Sequence, residues 1–349
     1  MKLWSKVADL VVDRPGLVFL LGGPDTGKTT LATVLANHLL AAGIPVAIVD
    51  GDMGQSDIGP PGTVGLGIPD VPFQRLSELP LRAAYFVGSN SPEGHSLSVL
   101  VGCSRMIGQA RSLGARAIIL DTTGLVHGRA ARVLKHFKLE LLQPDYIVVL
   151  QKENELEHLL KHLPDQARVI RVKASPRSQI RSRHQRKLLR ERAFRASLAG
   201  GRLHEFGLDQ VSLCGTIYRT GRALDASEYP GLSQRLGCPV VHAEWIPEGM
   251  YLVLEGSYEQ ARMDRLKEQE GVDQVLTSRA DRFRDLLVGL TGGEREWLDI
   301  GVLTEVDFAS ARARVYTRAD GELVRAIEVG VLRVSPSGEE MGKIFPNDI

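Results

Sequence analysis

The sequence has few cysteines and no long apolar run. Its three cysteines, Cys103, Cys214 and Cys238, stand far apart and show no C-x-x-C spacing. Neither a zinc site nor a disulfide framework is therefore predicted, and a reducing compartment fits this usage. The apolar run nearest the N-terminus, residues 17–21, is too short for a signal peptide or a membrane span. We predict a cytoplasmic protein with no membrane partner.

An excess of charge of one sign is also missing from the chain as a whole. The net charge is +1, which argues against a generally basic surface for nucleic acid. The distribution is uneven, however, because residues 177–195 contain seven arginines and Lys187 against one acid, Glu191. That segment carries about +7, so the remaining residues sum to about −6. The local concentration of arginine is the feature that needs a function.

Short apolar runs alternate with helical patterns in the first part of the chain. The predicted strands cover residues 16–21, 46–49, 117–120, 146–150 and 168–172, and the predicted helices cover residues 29–42, 97–113, 129–142 and 153–162. Continuous apolar strands alternating with helices are typical of a parallel sheet that is covered on both faces. Right-handed crossovers then make the sheet doubly wound.

Residues 22–29 match the phosphate-binding pattern G-x-x-x-x-G-K-[ST] and lie between a predicted strand and a predicted helix. The glycines let backbone N–H groups turn toward phosphates, Lys28 supplies positive charge to the β and γ oxygens, and Thr29 offers a hydroxyl to Mg²⁺. We therefore predict ATP and Mg²⁺ as cofactors. The predicted nucleotide-binding residues are Gly22, Gly23, Pro24, Asp25, Thr26, Gly27, Lys28, Thr29 and Thr30. ATP is favoured over GTP because residues 151–154 lack the aspartate that pairs with guanine.

The character of the sequence changes from about residue 210. Residues 313–317 and 326–334 have β-rich patterns, and one helix is predicted over residues 278–290. The predicted fold class is therefore α/β, with a P-loop NTPase-type doubly wound parallel sheet and a smaller β-rich C-terminal domain. We predict a kinase domain over residues 1–205, including an arginine-rich lid at about 175–198, and the β-rich domain over residues 206–349.

Acidic residues follow the second and third predicted strands. Asp50 and Asp52 come directly after one strand, and Asp121 ends the other. Because strand ends gather around the ligand in sheets of this type, we expect these carboxylates to face the phosphates. A carboxylate there binds Mg²⁺ or accepts a proton from an attacking hydroxyl, so Thr29, Asp52 and Asp121 are the predicted metal-binding residues. The alternative is that these acids are solvated residues of ordinary turns.

The arginine segment repeats at helical spacing. Arg183, Arg186 and Arg190 stand at i, i+3 and i+7, so a helix would place them on one face. In many small kinases an arginine-rich flap closes over the transferring phosphate, where guanidinium groups spread over its oxygens and exclude water. A solvated surface helix and a clamp for a nucleic-acid backbone are the two alternatives. The clamp is compatible with a kinase.

Five stretches, taken in order, resemble the polynucleotide 5′-hydroxyl kinase family. The family includes a subunit of the eukaryotic pre-mRNA cleavage machinery, a ribosomal-RNA-processing kinase and archaeal RNA kinases. The stretches are the P-loop, residues 50–62, residues 88–95, residues 121–128 and the arginine segment. The D-x-D-x-G-Q run that begins at Asp50 is the most specific of the five.

The resemblance implies that the γ-phosphate of ATP is transferred to a 5′-hydroxyl end of RNA or DNA. It implies that Asp52 is the general base and that Asp50 and Gln55 support the metal and phosphates. Thr122 and Gly124 would lie on the γ-phosphate side. The catalytic residues it implies are Lys28, Asp52, Arg183, Arg186 and Arg190. Protein partners are left open.

The sequence departs from the family at three places. The family usually has Asn where Asp121 stands, so Asp121 could share or take the metal role. Whether Asp52 or Asp121 is the base is also left open. It often has Trp where Leu125 stands, which leaves substrate stacking there open. Eukaryotic members carry a β-rich N-terminal domain, whereas about fifteen residues precede the first strand here. Docking to a large processing complex is therefore not expected.

Three other functions remain open from the residues alone. A P-loop switch or maturation NTPase would hydrolyse nucleotide to act on a protein partner, and residues 121–124 fit such a role. An RNA-processing subunit could instead bind ATP without turnover, although it would have no need of Lys28, Asp52 and the arginines. A small-metabolite kinase is a further alternative.

Overall fold

The computed structural model describes residues 2–161, 163, 166–174, 181–345 and 349. The chain divides into two compact units, Met1–Ala193 and Phe194–Ile349. The predicted boundary near residue 205 lies further along the chain than this division. Arg177 and the rest of residues 175–180, which belong to the predicted lid, lie outside the described residues.

A seven-stranded sheet forms the centre of the first unit. Its strands are β1 (Leu17–Gly22), β2 (Val46–Gly51), β3 (Thr63–Gly67), β4 (Leu81–Phe86), β5 (Ala117–Thr122), β6 (Tyr146–Gln151) and β7 (Arg168–Lys173). They lie in the order β4-β3-β2-β5-β1-β6-β7. The five predicted strands are confirmed and pair in parallel. The sequence did not predict β3 and β4, which extend one edge of the sheet in antiparallel pairing.

Helices cover both faces of this sheet. They are α1 (Lys2–Asp13), α2 (Lys28–Ala41), α3 (Ser96–Ser112) and α4 (Gly128–Leu142). A fifth helix, α5 (Arg183–Leu198), follows β7 and contains the division between the units. Val18 and Leu20 of β1 pack with apolar residues of α1 and α2. Phe19 and Leu21 pack with apolar residues of α3 and α4 on the opposite face. Burial on both faces explains why the strand is a continuous apolar run.

The helix predicted over residues 153–162 is wrong. The structure has only a short 3₁₀ turn there, Glu157–Leu159, and His162 lies outside the described residues. The Glu155 carboxylate accepts backbone N–H groups from Lys152 and Glu153, at 2.7 and 2.9 Å. Side chains that bond nearby backbone in this way compete with the helix for the same donors.

After the end of α5, the described residues of the second unit form two sheets and two α-helices. Its strands are β8 (Arg202–Gly207), β9 (Ser212–Cys214), β10 (Arg222–Ala223), β11 (Val240–Ile246), β12 (Gly249–Leu254), β13 (Gln274–Arg279), β14 (Leu286–Thr291), β15 (Trp297–Asp307), β16 (Arg312–Thr317), β17 (Ala326–Val334) and β18 (Glu340–Lys343). The helices are α6 (Tyr229–Leu236) and α7 (Gln260–Glu270). One sheet has the order β10-β11-β12-β13, and the other runs β18-β17-β14-β15-β16-β8 with β9 alongside β17.

The predicted fold class is confirmed, with one error in the second unit. The β-rich patterns at residues 313–317 and 326–334 form β16 and β17. The helix predicted over residues 278–290 is wrong, because β13 ends at Arg279 and β14 occupies Leu286–Thr291. β14 is completely buried and pairs with β15 and β17, so apolar and polar residues do not alternate along it. Periodicity alone does not separate such a strand from a buried helix. Among the described residues, no helix has both the length and the apolarity needed to cross a membrane.

Candidate nucleotide-binding and phosphate-transfer site

The predicted P-loop connects the end of β1 to the start of α2. Two residues, Asp25 and Gly27, have left-handed backbone angles, with φ of 56° and 98°. A side chain at Gly22 would lie 2.6 Å from the Thr26 hydroxyl, so the loop curls closely over its own start. Left-handed residues ahead of a helix N-terminus are typical of loops whose backbone N–H groups bind phosphate.

Two side chains of the P-loop bond the same carbonyl group. Lys28 Nζ donates to the Gly23 oxygen at 2.8 Å, and Thr26 Oγ1 donates to it at 2.9 Å. Lys28 is buried, whereas Pro24 and Thr30 are exposed. The ammonium group is therefore held inside the loop that the sequence predicts for phosphate.

Asp121 at the end of β5 contacts the P-loop directly. Thr29 Oγ1 donates to Asp121 Oδ2 at 2.7 Å. The other oxygen, Oδ1, is buried and has no hydrogen-bond partner among the described residues. Burial raises the pKa of Asp121 to about 6, although the Lys28 charge and the Thr29 hydroxyl oppose the shift. One oxygen of the carboxylate is therefore not engaged by the described residues, and the predicted role of Asp121 in metal binding stays a prediction.

Asp50 shapes the loop that follows β2. It is the register partner of Asp121 across the neighbouring parallel strands. Its carboxylate accepts backbone N–H groups from Asp52, Asp57 and Ile58, at 3.0, 2.6 and 3.0 Å. Burial and the nearby Asp121 charge raise the pKa of Asp50 well above its ordinary value. The observed bonds of Asp50 hold the loop, and its predicted contact with metal or phosphate stays a prediction.

The loop held by Asp50 carries Asp52 and Gln55. Asp52 is half-buried, and its Oδ1 accepts from the Gly54 N–H at 3.3 Å. Gln55 Nε2 donates to the carbonyl of Arg186 at 3.4 Å. A side chain at Gly54 would lie 2.7 Å from the Asn90 carbonyl, so the loop around residues 88–95 packs against this one. The structure thus brings two of the five resembling stretches into contact. The role of Asp52 as base stays a prediction.

The arginine segment meets the P-loop at Asp25. Arg186 Nη2 lies 2.9 Å from Asp25 Oδ2, and the backbone N–H of Arg181 donates to the same oxygen at 3.0 Å. Along α5, Arg186 and Arg190 are half-buried and Arg183 is exposed. The structure therefore brings Arg186 into contact with the P-loop. The catalytic roles of Arg183 and Arg190 stay predictions.

A buried lysine, Lys135, was missed by the sequence reasoning. Its Nζ donates to Thr122 Oγ1 and to the Thr123 carbonyl, both at 2.8 Å. Thr122 Oγ1 in turn donates to the Leu20 carbonyl at 2.7 Å, so its hydroxyl is engaged inside the protein. The predicted contact of Thr122 with the γ-phosphate stays a prediction. A signal for the lysine was present, because it stands within an apolar stripe of α4. The buried positions of that stripe are Ala131, Leu134, Lys135, Lys138, Leu139 and Leu142.

Gly124 brings the loop after β5 against the P-loop. A side chain at Gly124 would lie 2.7 Å from the backbone nitrogen of Pro24. Together with the Thr29–Asp121 bond, this close approach gives the loop two contacts with the nucleotide-binding loop. The fold and this site together define a P-loop nucleotide-binding protein.

The particular family follows from comparison with known sequences. Residues 22–199 match the family described as mRNA cleavage and polyadenylation factor CLP1 P-loop. The chain is 36% identical to a polyribonucleotide 5′-hydroxyl-kinase of Thermococcus kodakarensis, over 100% of this chain and 96% of the relative. It is 32% identical to a polyribonucleotide 5′-hydroxyl-kinase of Methanocaldococcus jannaschii, over 96% of this chain and 92% of the relative. The chain belongs to the CLP1 P-loop family, and the predicted family is confirmed.

Solved structures support the fold. A chain from a wild-type Clp1p–Pcf11p complex superimposes with a TM-score of 0.59 and 12% identity, covering 95% of this chain and 79% of that one. At this identity the similarity establishes the fold alone.

Proposed function

We propose that this chain is an ATP-dependent polynucleotide 5′-hydroxyl kinase that phosphorylates RNA ends. The observation that carries the proposal is the convergence of Lys28, the Thr29–Asp121 pair and Arg186 on one phosphate-binding loop. Phosphoryl transfer needs positioning and charge stabilisation more than covalent chemistry, and these groups supply both. The names of the full-length relatives support RNA as the substrate class. Activity on DNA ends is the second possibility that the test below includes.

The residues of the site fit a magnesium ion. Asp121 has a buried oxygen without a hydrogen-bond partner among the described residues, and Thr29 lies beside it. In the described part of the chain, no group of three or more His, Cys, Asp or Glu side chains could hold a metal. Mg²⁺ is usually held by one or two carboxylates and the substrate phosphates, so the pattern suits it. We assign Thr29 and Asp121, with Asp52, as the residues that would hold it. When bound, the ion neutralises charge on the phosphates.

The chain's own residues divide the remaining work. Asp52, on the loop fixed by Asp50, accepts the proton of the attacking 5′-hydroxyl. Lys28 and the P-loop N–H groups hold the phosphates. Arg186, next to Asp25, places a guanidinium where charge develops on the transferring group. The proposal includes a cytoplasmic location, which fits ATP as the substrate and three free cysteines.

The test is transfer of label from γ-labelled ATP to oligonucleotides with a 5′-hydroxyl, using RNA and DNA of the same sequence. We expect labelled RNA with the natural chain and loss of labelling with Lys28→Ala. Lys6→Ala removes an exposed lysine of α1 and should leave the rate unchanged. Label released only as free phosphate, whether or not an oligonucleotide is present, would instead identify a switch NTPase. ATP binding without either product would identify a non-catalytic subunit.

A further inference from the structure

Two lysines on the same face of α4 are completely buried. Lys135 and Lys138 stand three residues apart, and both have 0% of their surface exposed. A buried ammonium group is costly unless hydrogen bonds replace its water, and the surrounding core here is apolar. A lysine that is buried on an apolar helix face therefore needs a structural or functional reason.

Lys135 ties the loop after β5 to the centre of the sheet. Its Nζ donates to Thr122 Oγ1 and the Thr123 carbonyl, both at 2.8 Å, and lies 5.9 Å from the centre of the Phe19 ring. The hydroxyl of Thr122 in turn donates a hydrogen bond to the Leu20 carbonyl in β1. The P-loop begins two residues after Leu20. One ammonium group thus fixes both the side chain and the backbone of the loop.

The loop that Lys135 holds is the one that contacts the P-loop. On its N-terminal side, Asp121 accepts from the Thr29 hydroxyl at 2.7 Å. On its C-terminal side, Gly124 approaches Pro24 so closely that no side chain fits. Thr122 and Thr123, the two residues that Lys135 bonds, lie between these contacts. A displacement of their backbone would move both contacts together.

We propose that Lys135 is a positioning residue for phosphate transfer. It holds residues 122–124 in the place where Asp121 meets Thr29 and Gly124 packs on Pro24. This inference rests on the proposed kinase function. Lys135 does not touch the phosphates itself, because its Nζ is buried under the loop and donates to the loop's own oxygens.

Lys138 is a matched control on the same helix. Its Nζ is also buried but has no hydrogen-bond partner among the described residues. Burial and the positive charge of the nearby Lys138 lower the pKa of Lys135 well below its ordinary value. Each substitution removes one completely buried ammonium group, but of the two lysines Lys135 alone bonds the loop.

The experiment compares Lys135→Met with Lys138→Met, since methionine keeps a long unbranched side chain without the charge. Thermal unfolding and the separate kcat and KM values for ATP and a 5′-hydroxyl RNA are measured for each. We expect Lys135→Met to lower kcat by about 10- to 100-fold, because misplacement by about 1 Å costs on the order of 10² in rate. Its KM for RNA should stay within about twofold of the natural value. Lys138→Met should keep both constants.

A second variant tests whether Lys135 acts through Thr122. Thr122→Val removes the hydroxyl acceptor at nearly constant volume, and it should lower kcat in the same direction. The double variant should lose less than the product of the two single losses, because the residues form one connection. If Lys135→Met does not fold, Thr122→Val alone tests the inference, and we expect it to have a reduced kcat and an unchanged KM for RNA.

The results separate this inference from the proposed function. An inactive natural chain would remove the kinase proposal itself. An active natural chain with an equally active, folded Lys135→Met variant would overturn the positioning role. Equal losses in Lys135→Met and Lys138→Met would also overturn it, because the effect would then come from the buried charge.

Discussion

The guanidinium of Arg186 lies 2.9 Å from the carboxylate of Asp25, so the helix that carries the arginines is joined to the phosphate-binding loop. The two side chains are only 27% and 16% exposed. A pair that is partly withdrawn from water is less screened by salt than a surface pair. The Asp25 carboxylate also accepts a hydrogen bond from the backbone N–H of Arg181. Two parts of the arginine segment therefore bond the same P-loop residue.

Replacing Arg186 by alanine should lower kcat on a short oligonucleotide substantially. A well-placed donor to developing charge contributes a few kcal/mol to the barrier, which corresponds to about 10²-fold or more. Arg190→Ala should act in the same direction. Arg192→Ala removes an exposed arginine of the same helix and serves as the control. Steady-state kinetics at saturating substrate measure the effect.

The alternative for these arginines is a clamp on the nucleic-acid backbone. The loss would then appear in KM, increase with oligonucleotide length and weaken as salt rises, because counterion release drives such binding. A kcat within about twofold for both Arg186→Ala and Arg190→Ala would rule out the lid, since that change is under half a kcal/mol.

Asp52→Asn and Asp121→Asn should separate the base from the metal ligand. Loss of a general base lowers kcat by about 10²- to 10⁴-fold, and ATP binding should be largely preserved in Asp52→Asn. Both variants lose a proposed metal ligand and should need more Mg²⁺ for half-maximal rate, but Asp121→Asn should recover most of its kcat at saturating Mg²⁺ and Asp52→Asn should not. Measuring kcat and the Mg²⁺ dependence of both variants tests the assignment. The reverse pattern would show that the roles are exchanged.

The stability of the metal-free protein should depend on the ionisation of Asp121. Its pKa is raised from 3.8 to about 6, so the folded state binds its proton more tightly than the unfolded state does. The ionised carboxylate therefore lowers the free energy of unfolding as pH rises from about 4 to about 6, by about 2–3 kcal/mol in all.

Asp121→Asn, with EDTA present, should for that reason unfold at a higher temperature than the natural chain at pH 7.5. The difference should shrink at pH 5, where the natural carboxyl is largely protonated. Melting curves at the two pH values measure it. A difference that is constant with pH would contradict the raised pKa.

Gly124→Ala should damage the site without damaging the fold elsewhere. The added carbon would lie 2.7 Å from the Pro24 nitrogen, and backbone cannot rotate away as a flexible side chain can. We expect kcat/KM for ATP to fall by roughly tenfold or more, a cost of about 1.4 kcal/mol. Gly108→Ala is the matched control, because its added carbon meets nothing within 4 Å in α3. The control should keep its activity and gain up to about 1 kcal/mol in unfolding free energy.

Much of the first unit could be predicted because its signals are local. The five parallel strands are continuous apolar runs, and the P-loop and its flanking acids are short motifs at strand ends. The pair β3 and β4 was missed for a physical reason. β3 contains Gly65, where a side chain would overlap the Ile58 carbonyl, so the glycine that the packing requires resembles a turn signal in sequence.

The residues of the site could be predicted from the sequence better than the contacts between those residues. Asp50 and Asp121 are recognisable as acids at strand ends, but their adjacency depends on the order of β2 and β5 in the sheet. The bond between Arg186 and Asp25 joins residues from opposite ends of the first unit, and no periodicity reports such a pair. Lys135 is the exception. A charged side chain within an apolar helix stripe stands out in the sequence and predicts a buried hydrogen-bond partner.

The pairing of β8 with β16 sets an order for folding during synthesis. Arg202 at the start of β8 is the register partner of Thr317 at the end of β16. That contact can therefore form only after most of the chain has been synthesised. The first unit's sheet has no such delay, because its last strand, β7, ends at Lys173. Since domains fold as they leave the ribosome and distant pairings close slowly, we expect the phosphate-binding sheet to form first. Until β16 emerges, β8 lacks its native partner, and nascent chains stalled before residue 312 would carry an open strand edge.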